Sequence, residues 1–466
     1  MERQKATERA QIPNSTLGAF CVTALAIHAL ATLLITFLPE FYATAVGLPV
    51  GAVGTAFMTV RIADLFVDVF LGGAIDATRT RWGRYRPWLL ASAPILVIAI
   101  AMLFGAPRGV TVVYLWGWLA FAFIGFSIIV LAHLAWTATL STSPKERTRA
   151  FAWWQIFATI GQFSILALLP IVARMYPDDP GAGVRAAGWV MAGLIPAAVV
   201  LAVTTTPERA MGPAGEHRTS LRDYVDVLKQ NAVLRLFLAD LFIATSTGIA
   251  NAVALFFYMG QLGFDRATAS TLILISYAFA FAGTPIFAKL AGKIGKSKAL
   301  MVGALLQAGL QILVALLPAN NFALTAATLG ALGLCIPIAW FLPRAMMADV
   351  AEASRGLTGV DRTGLLYALL NGSMKLALGL AVGFAFLMLS WLNFVPAHAS
   401  DPSSALPLRL LIGVVPATLS LVVALCMFKY PEAETAAAAE RVRHAESATS
   451  VQPVFKAGKT LRDAVN

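Results

Sequence analysis

The stretch TPERAMGPAGEHRTSLRDYVDVLKQ, residues 206–230, is the longest polar connection between apolar runs in this chain. It decides the layout, because six apolar runs precede it and six follow. Each run reaches the roughly 20 residues that an α-helix needs to cross a bilayer. They lie at 16–43, 50–76, 87–106, 110–140, 150–174, 187–205, 231–260, 267–291, 298–318, 322–350, 363–393 and 406–429, and are numbered spans 1–12. Composition agrees: 59% of the residues are hydrophobic and 13% charged, with a mean hydropathy of +0.76. A soluble core of 466 residues would need a polar shell that this usage does not supply. The expected fold class is an all-α membrane protein.

The charges alternate with the spans. Most lysines and arginines fall before span 1 and after spans 2, 4, 6, 8, 10 and 12, whereas the other connections carry only Arg108, Arg174, Arg185, Arg266 and Arg409. The positive-inside rule then makes both termini cytoplasmic, as an even span count also requires. The net charge of +11 is thus mainly topology, and no nucleic-acid partner is expected. Cys21, Cys335 and Cys426 all sit in apolar runs, so no disulfide framework is expected. The polar start MERQKATERAQIPN has no signal-peptide core, and the first span is expected to direct insertion.

The domains read as a cytoplasmic segment 1–15, a six-helix bundle 16–206, a cytoplasmic linker 207–230, a second bundle 231–430 and a cytoplasmic tail 431–466 with no packed fold expected. The loops RTRWGRYR after span 2 and GKIGKSKA after span 8 echo one another in length, glycine and charge. Two pseudo-symmetric six-helix bundles joined by a linker are the layout of the major facilitator fold, whose site lies at the midplane between the halves.

Span 2 contains RIADLFVD, residues 61–68, in which Arg61, Asp64 and Asp68 are spaced by three and four and share one helix face. A charge at the bilayer centre costs about 2.5–3.5 kcal/mol even on insertion scales. Arg61 can pair with Asp64, while Asp68 needs a cation, a proton or a base from another helix. Intramembrane carboxylates facing a bundle interior mark ion or proton pathways, although a static ion pair would use the same residues. Lys375 in span 11 is a second deep charge and a natural partner for the two acids. Asp76 and Arg84 after span 2, Arg147 and Arg149 after span 4, and Asp349 and Glu352 after span 10 are candidates for a cytoplasmic gate.

RIADLFVD…DATRTRWGRYRPW, SPKERTRAFAWWQIFATIG and MMADVAEASRGLTGVDRTGLLYALLNGSMKLALG resemble three separated signatures of the glycoside–pentoside–hexuronide:cation symporters, the melibiose-permease branch of the major facilitator superfamily. The resemblance covers about residues 15–430. It implies coupled uptake of a sugar or related solute with Na⁺, Li⁺ or H⁺. The family's two cation-binding acids correspond to Asp64 and Asp68, its span 4 hydroxyl to Ser127, its span 10 tryptophan to Trp340 and its span 11 lysine to Lys375.

Departures from the family pattern carry information. The asparagine before the second acid is here Val67, which removes an amide oxygen. Na⁺ favours several hard oxygen ligands, whereas a proton needs one carboxylate, so H⁺ is favoured over Na⁺. The galactoside-binding acid of span 1 falls at His28, the second acid at about Val130, the stacking tryptophan at about Leu134 and the span 5 arginine at Gln155. A melibiose-type galactoside is therefore not expected. Candidate substrate residues are His28, Trp136, Gln155, Asn251, Tyr258, Trp340, Asn371 and Lys375. His28 with Lys375 suits an acidic solute such as a hexuronide or a sulfonated sugar.

No phosphate-binding loop, metal-spaced Cys/His cluster or nucleophile motif is present, so neither an enzyme nor an ATP-driven pump is expected. No cofactor and no resident metal are expected beyond a transported Na⁺ at Asp64 and Asp68. The reading is a secondary active symporter of the cell membrane working by alternating access, monomeric, with a small-molecule solute and membrane lipid as partners. A lipid or lysolipid carrier on the same fold and a non-transporting membrane sensor are the alternatives.

Overall fold

The computed structural model describes residues 12–141, 144–208, 221–358 and 363–431. Most of the N-terminal segment, the middle of the linker and the tail beyond 431 lie outside the described residues. Among the described residues twelve helices are long and apolar enough to cross a membrane: Asn14–Val46, Val50–Ala77, Arg86–Phe104, Val112–Thr139, Arg149–Met175, Ala182–Thr205, Asn231–Gln261, Arg266–Ile294, Lys296–Ala315, Phe322–Ser354, Leu365–Trp391 and Pro402–Met427. Each overlaps its expected span. The differences lie at the ends: span 6 begins at Ala182 and span 12 at Pro402, because backbone bonding continues past the last apolar residue. A short helix, Leu221–Leu228, occupies the end of the linker.

Span 1 stays helical through Pro39 by widening to a π turn over Leu33–Phe37 immediately before it, which absorbs the amide that proline lacks. It ends in a second π turn, Tyr42–Val46, and span 7 ends the same way over Phe257–Gln261. The first helices of the two halves thus share one irregularity.

Helix pairing shows the repeat directly. Spans 1 and 5, 2 and 4, 3 and 6, and 1 and 6 pack together in the first half; spans 7 and 11, 8 and 10, 9 and 12, and 7 and 12 do so in the second. Adding six to each number of the first set gives the second. Small residues allow the closest approaches: a Cβ added at Gly161, Gly283 or Gly333 would lie 2.1 Å from the carbonyl oxygen of Leu25, Leu334 or Ser276 respectively.

The halves meet where span 2 lies on span 11 and span 5 on span 8. A ladder of glycines marks the first contact. An added Cβ at Gly51 would meet Ser390 at 2.5 Å, at Gly54 Phe386 at 2.6 Å, at Gly383 Met58 at 2.5 Å and at Gly379 Arg61 at 2.5 Å. Nearer the face that carries the chain ends, Gly72, Gly73 and Gly372 have nothing within 4 Å of an added Cβ. The buried apolar residues divide accordingly. One cluster joins both halves on the far face, and a second is confined to the chain-end part of the second half. The halves are closed together on the far face and part from the level of Arg61 towards the chain ends.

Candidate functional site

The charged face of span 2 sits where the halves part. Arg61 and Asp64 are buried, at 5% and 3% exposure. The Ser127 hydroxyl of span 4 donates to Asp64 Oδ1 at 2.7 Å, and Arg61 Nη1 donates to Asp64 Oδ2 at 3.3 Å. Lys375 Nζ of span 11 donates to Asp68 Oδ2, to Asp64 Oδ2 at 3.5 Å and to Ser127 Oγ at 3.4 Å. The Arg61 guanidinium lies over the Phe123 ring, 4.6 Å from its centre, a favourable place for a desolvated cation. Two anions and two cations thus neutralise one another, which makes their burial tolerable. One atom is left over: Asp68 Oδ1 is buried without a hydrogen-bond partner.

The other sequence candidates separate into groups. His28 of span 1 bonds through Nδ1 to the Ala24 carbonyl at 3.1 Å, its ring edge-on to Trp154 of span 5. Gln155, the next residue, is exposed and donates to Thr159 Oγ1 at 3.4 Å. Trp340 and Asn371 are exposed on spans 10 and 11. Asn251 and Tyr258 line a cavity of ≈ 50 Å³ inside the second half, where Asn251 donates to the Tyr277 hydroxyl at 3.2 Å. Trp136 is a correction. At 1% exposure it is enclosed by Phe20, Tyr85 and Arg86, so in this state it serves packing and faces no solute.

The gate candidates pair within their own halves. Arg84 bonds Asp76, Arg149 bonds Glu146 at 3.1 Å, and Lys296 bonds Asp349 at 2.7 Å. Arg147 is exposed and Glu352 half-buried. The linker is tied to the first half by Glu208, whose carboxylate accepts from the backbone N–H groups of Arg84, Tyr85 and Arg86 at the start of span 3. A helix N-terminus suits an anion. Gly83, at φ +112°, leaves the room: an added Cβ would lie 2.1 Å from Glu208 Oε2.

Sequence reasoning missed Glu40, His133 and Asp240 inside spans and Asp265 at the head of one. Glu40 of span 1 receives two hydrogen bonds, 2.6 and 3.0 Å, from Arg266 of span 8 and closes the far face. Asp265 positions that arginine by capping span 8. The Thr268 hydroxyl and the backbone N–H groups of Thr268 and Ala267 hold its carboxyl below the ordinary carboxylate range. His133 of span 4 accepts from Trp154 Nε1 at 3.2 Å and meets the Phe20 carbonyl at 3.1 Å. Asp240 of span 7 is buried at 1% exposure. The rule that singled out Asp64 and Asp68, an ionisable side chain within an apolar run, marks Glu40, His133 and Asp240 too, though it names no partner for them.

The arrangement is that of a carrier: two helical repeats, a charge cluster at their junction and a bridge closing one face. The chain matches the family described as MFS/sugar transport protein over residues 19–433. It is 26% identical over 410 residues to the glucuronide carrier protein homolog of Escherichia coli, covering 85% of this chain and 87% of that one. It is 27% identical over 409 residues to the isoprimeverose transporter of Lactiplantibacillus pentosus, covering 84% and 83%. The crystal structure of the nucleoside transporter NupG has the same fold, with a TM-score of 0.66 over 90% of this chain and 100% of that one, at 14% identity. The chain belongs to the MFS/sugar transport protein family, in its glycoside–pentoside–hexuronide:cation symporter branch, and is a multi-pass inner-membrane transporter.

Proposed function

We propose that this carrier imports a monoanionic sugar, a hexuronide or sulfonated sugar, together with one H⁺, by alternating access with both termini in the cytoplasm. The observation that carries the reading is the hold of Lys375 from one half on Asp64 and Asp68 from the other. With no coupling ion bound, Arg61, Lys375, Asp64 and Asp68 sum to zero. A proton on Asp68 gives the site one positive charge and frees the Lys375 ammonium. An anionic solute then restores neutrality by pairing with it. Ion alone or solute alone leaves an uncompensated charge in a dry interface, which is costly, so the doubly loaded and the empty carrier cross most easily.

Proton coupling is favoured because Asp68 Oδ1 has a free lone pair and because Val67 offers no side-chain oxygen to a metal ion. A proton needs a single carboxylate oxygen, whereas Na⁺ favours several hard oxygen ligands. The relative described as a glucuronide carrier homolog supports an acidic sugar, as does His28, which stands where the resemblance places a sugar-binding acid, together with the cationic Lys375. The test is uptake of methyl β-D-glucuronide and methyl β-D-glucoside into proteoliposomes in Na⁺-free buffer under an imposed pH gradient. The expected result is accumulation of the glucuronide that a proton uncoupler abolishes. Accumulation that needs Na⁺, or that persists under the uncoupler, refutes the proton; preference for the neutral glycoside refutes the charge pairing.

A further inference from the structure

Asp240 is a buried carboxylate that the coupling cluster does not use. It lies in span 7 within the chain-end core of the second half, the core that includes its neighbours Ala239 and Ile243 and the span 10 residues Leu342, Met346 and Met347. Its side chain is 1% exposed and its Oδ2 has no hydrogen-bond partner. Two polar groups act on it, Arg344 of span 10 and Ser373 of span 11. The Ser373 hydroxyl is itself buried without a partner. Arg344 directs its N–H groups elsewhere, to the Trp340 carbonyl at 2.8 Å and to Met374 Sδ at 3.4 Å. A thioether is a weak acceptor, so a guanidinium bonded to sulfur within electrostatic reach of Asp240 is poised for exchange.

Other charged groups near this core, among the described residues, hold partners of their own. Arg235, on span 7 itself, holds the carbonyls of Phe428 and Lys429 at 2.6 and 3.0 Å. Lys296 of span 9 holds Asp349 of span 10, and Lys375 of span 11 holds Asp68. The Tyr367 hydroxyl of span 11 donates to the Arg344 carbonyl at 3.2 Å, and span 12 contributes the Cys426 thiol. An ionised Asp240 has no hydrogen bond to its Oδ2 while Arg344 donates elsewhere, a costly state in an apolar core. A bound proton removes the charge and supplies a donor for Ser373 Oγ. A swing of Arg344 from Met374 onto Asp240 removes it equally well.

We propose that Asp240 is a second proton-binding site, separate from the Asp64–Asp68 cluster, and that Arg344 is the alternate occupant of that site. The proton is taken from water on the chain-end face when the carrier is open there, as in this structure. It returns to that water when the face closes and the Arg344–Asp240 ion pair forms. Acid on the chain-end face then holds the carrier open and slows its return, whatever solute it moves.

Distance distributions from spin-label pairs at Gly72→Cys and Gly292→Cys, on a background with Cys21, Cys335 and Cys426 replaced by serine, report this opening. In lipid nanodiscs the open-to-closed ratio of the otherwise wild-type protein is expected to rise as pH falls, by up to tenfold per pH unit for one linked proton. Measured on the Asp68→Asn background, where the second acid of the coupling cluster no longer titrates, Asp240→Asn is expected to abolish that dependence and fix the ratio at its acid value. Arg344→Gln is expected to abolish it too, since the closed state loses its ion pair. Asp68→Asn is expected to retain it. A pH dependence unchanged in Asp240→Asn, or abolished by Asp68→Asn alone, overturns the proposal. Should Asp240→Asn fail to fold, Ser373→Ala serves. It is expected to shift the infrared carbonyl stretch of a protonated carboxylic acid, and the absence of any such band in the otherwise wild-type protein at acid pH overturns the proposal equally.

Discussion

Arg266 at the start of span 8 grips Glu40 of span 1 with both guanidinium Nη atoms, at 2.6 and 3.0 Å, and the glutamate side chain is only 3% exposed. The bridge joins the two halves on the face away from the chain ends. Paired cations and anions at that depth stabilise only while both are present, since a lone survivor is a buried unpaired charge.

Glu40→Gln should release the far face. Loss of one partner from a buried pair costs about 3–5 kcal/mol, enough to shift a two-state equilibrium by roughly 100-fold or more. Spin labels at Arg108→Cys, after span 3, and Leu324→Cys, at the start of span 10, both exposed on the far face, should report a longer distance in Glu40→Gln. The exchanged pair Glu40→Arg with Arg266→Glu should restore the short distance. An unchanged distribution in the single variant would mean that the bridge does not gate.

Lys375→Gln leaves Arg61 as the one cation of the cluster facing two carboxylates. The place of the ammonium then falls to a bound ion. Lowering the pH from 8 to 6 should raise the melting temperature of Lys375→Gln more than that of the wild type, and replacing choline chloride by NaCl should not. Equal acid effects in the two proteins would show that Lys375 does not compete with the coupling ion.

The glycine ladder makes a paired prediction. Gly379→Val places carbon against Arg61, where even a Cβ would come within 2.5 Å of the arginine Cβ, and should destabilise by about 1–3 kcal/mol. Gly72→Ala, with nothing within 4 Å, should be neutral or stabilising by up to about 1 kcal/mol, the helix-propensity gain. Thermal unfolding in detergent compares them directly.

Much of this was legible in the sequence because the membrane imposes hard rules. Twelve apolar runs, a polar linker and a charge on every second connection define the two repeats without any tertiary knowledge. The three- and four-residue spacing of Arg61, Asp64 and Asp68 puts them on one face, and Lys375 has the opposite charge at matching depth. The Glu40–Arg266 bridge was not legible. Arg266 reads as a connection residue and Glu40 sits beside Pro39, so neither advertises a partner 226 residues away. Trp136 misled for the opposite reason: an aromatic on an inward helix face can line a cavity or fill one, and only its enclosure by Phe20 and Tyr85 distinguishes the two.

Asp265 gives a stability prediction with a definite sign. Its carboxyl is held below the ordinary value of 3.8 by Thr268 and by the N-terminal amides of span 8. A depressed folded-state value contributes stability that is fully present above the unfolded value and is lost as pH falls through the folded one. Asp265→Ala removes the cap and should cost about 1 kcal/mol near neutral pH. The gap in melting temperature between wild type and variant should narrow as the pH is taken below about 4, and a gap that stays constant there would assign the cap no charge.

On the proposed reading, Asp64 and Asp68, held by Lys375 in the resting carrier, couple an ion to the solute. Concentrative uptake of methyl β-D-glucuronide into proteoliposomes under an imposed pH gradient, compared for wild type, Asp64→Asn and Asp68→Asn, tests it most directly. Both variants should lose accumulation, with Asp68→Asn retaining exchange of glucuronide across the membrane because a neutral side chain there mimics the protonated acid. Full accumulation in both variants would leave Asp64 and Asp68 no coupling role.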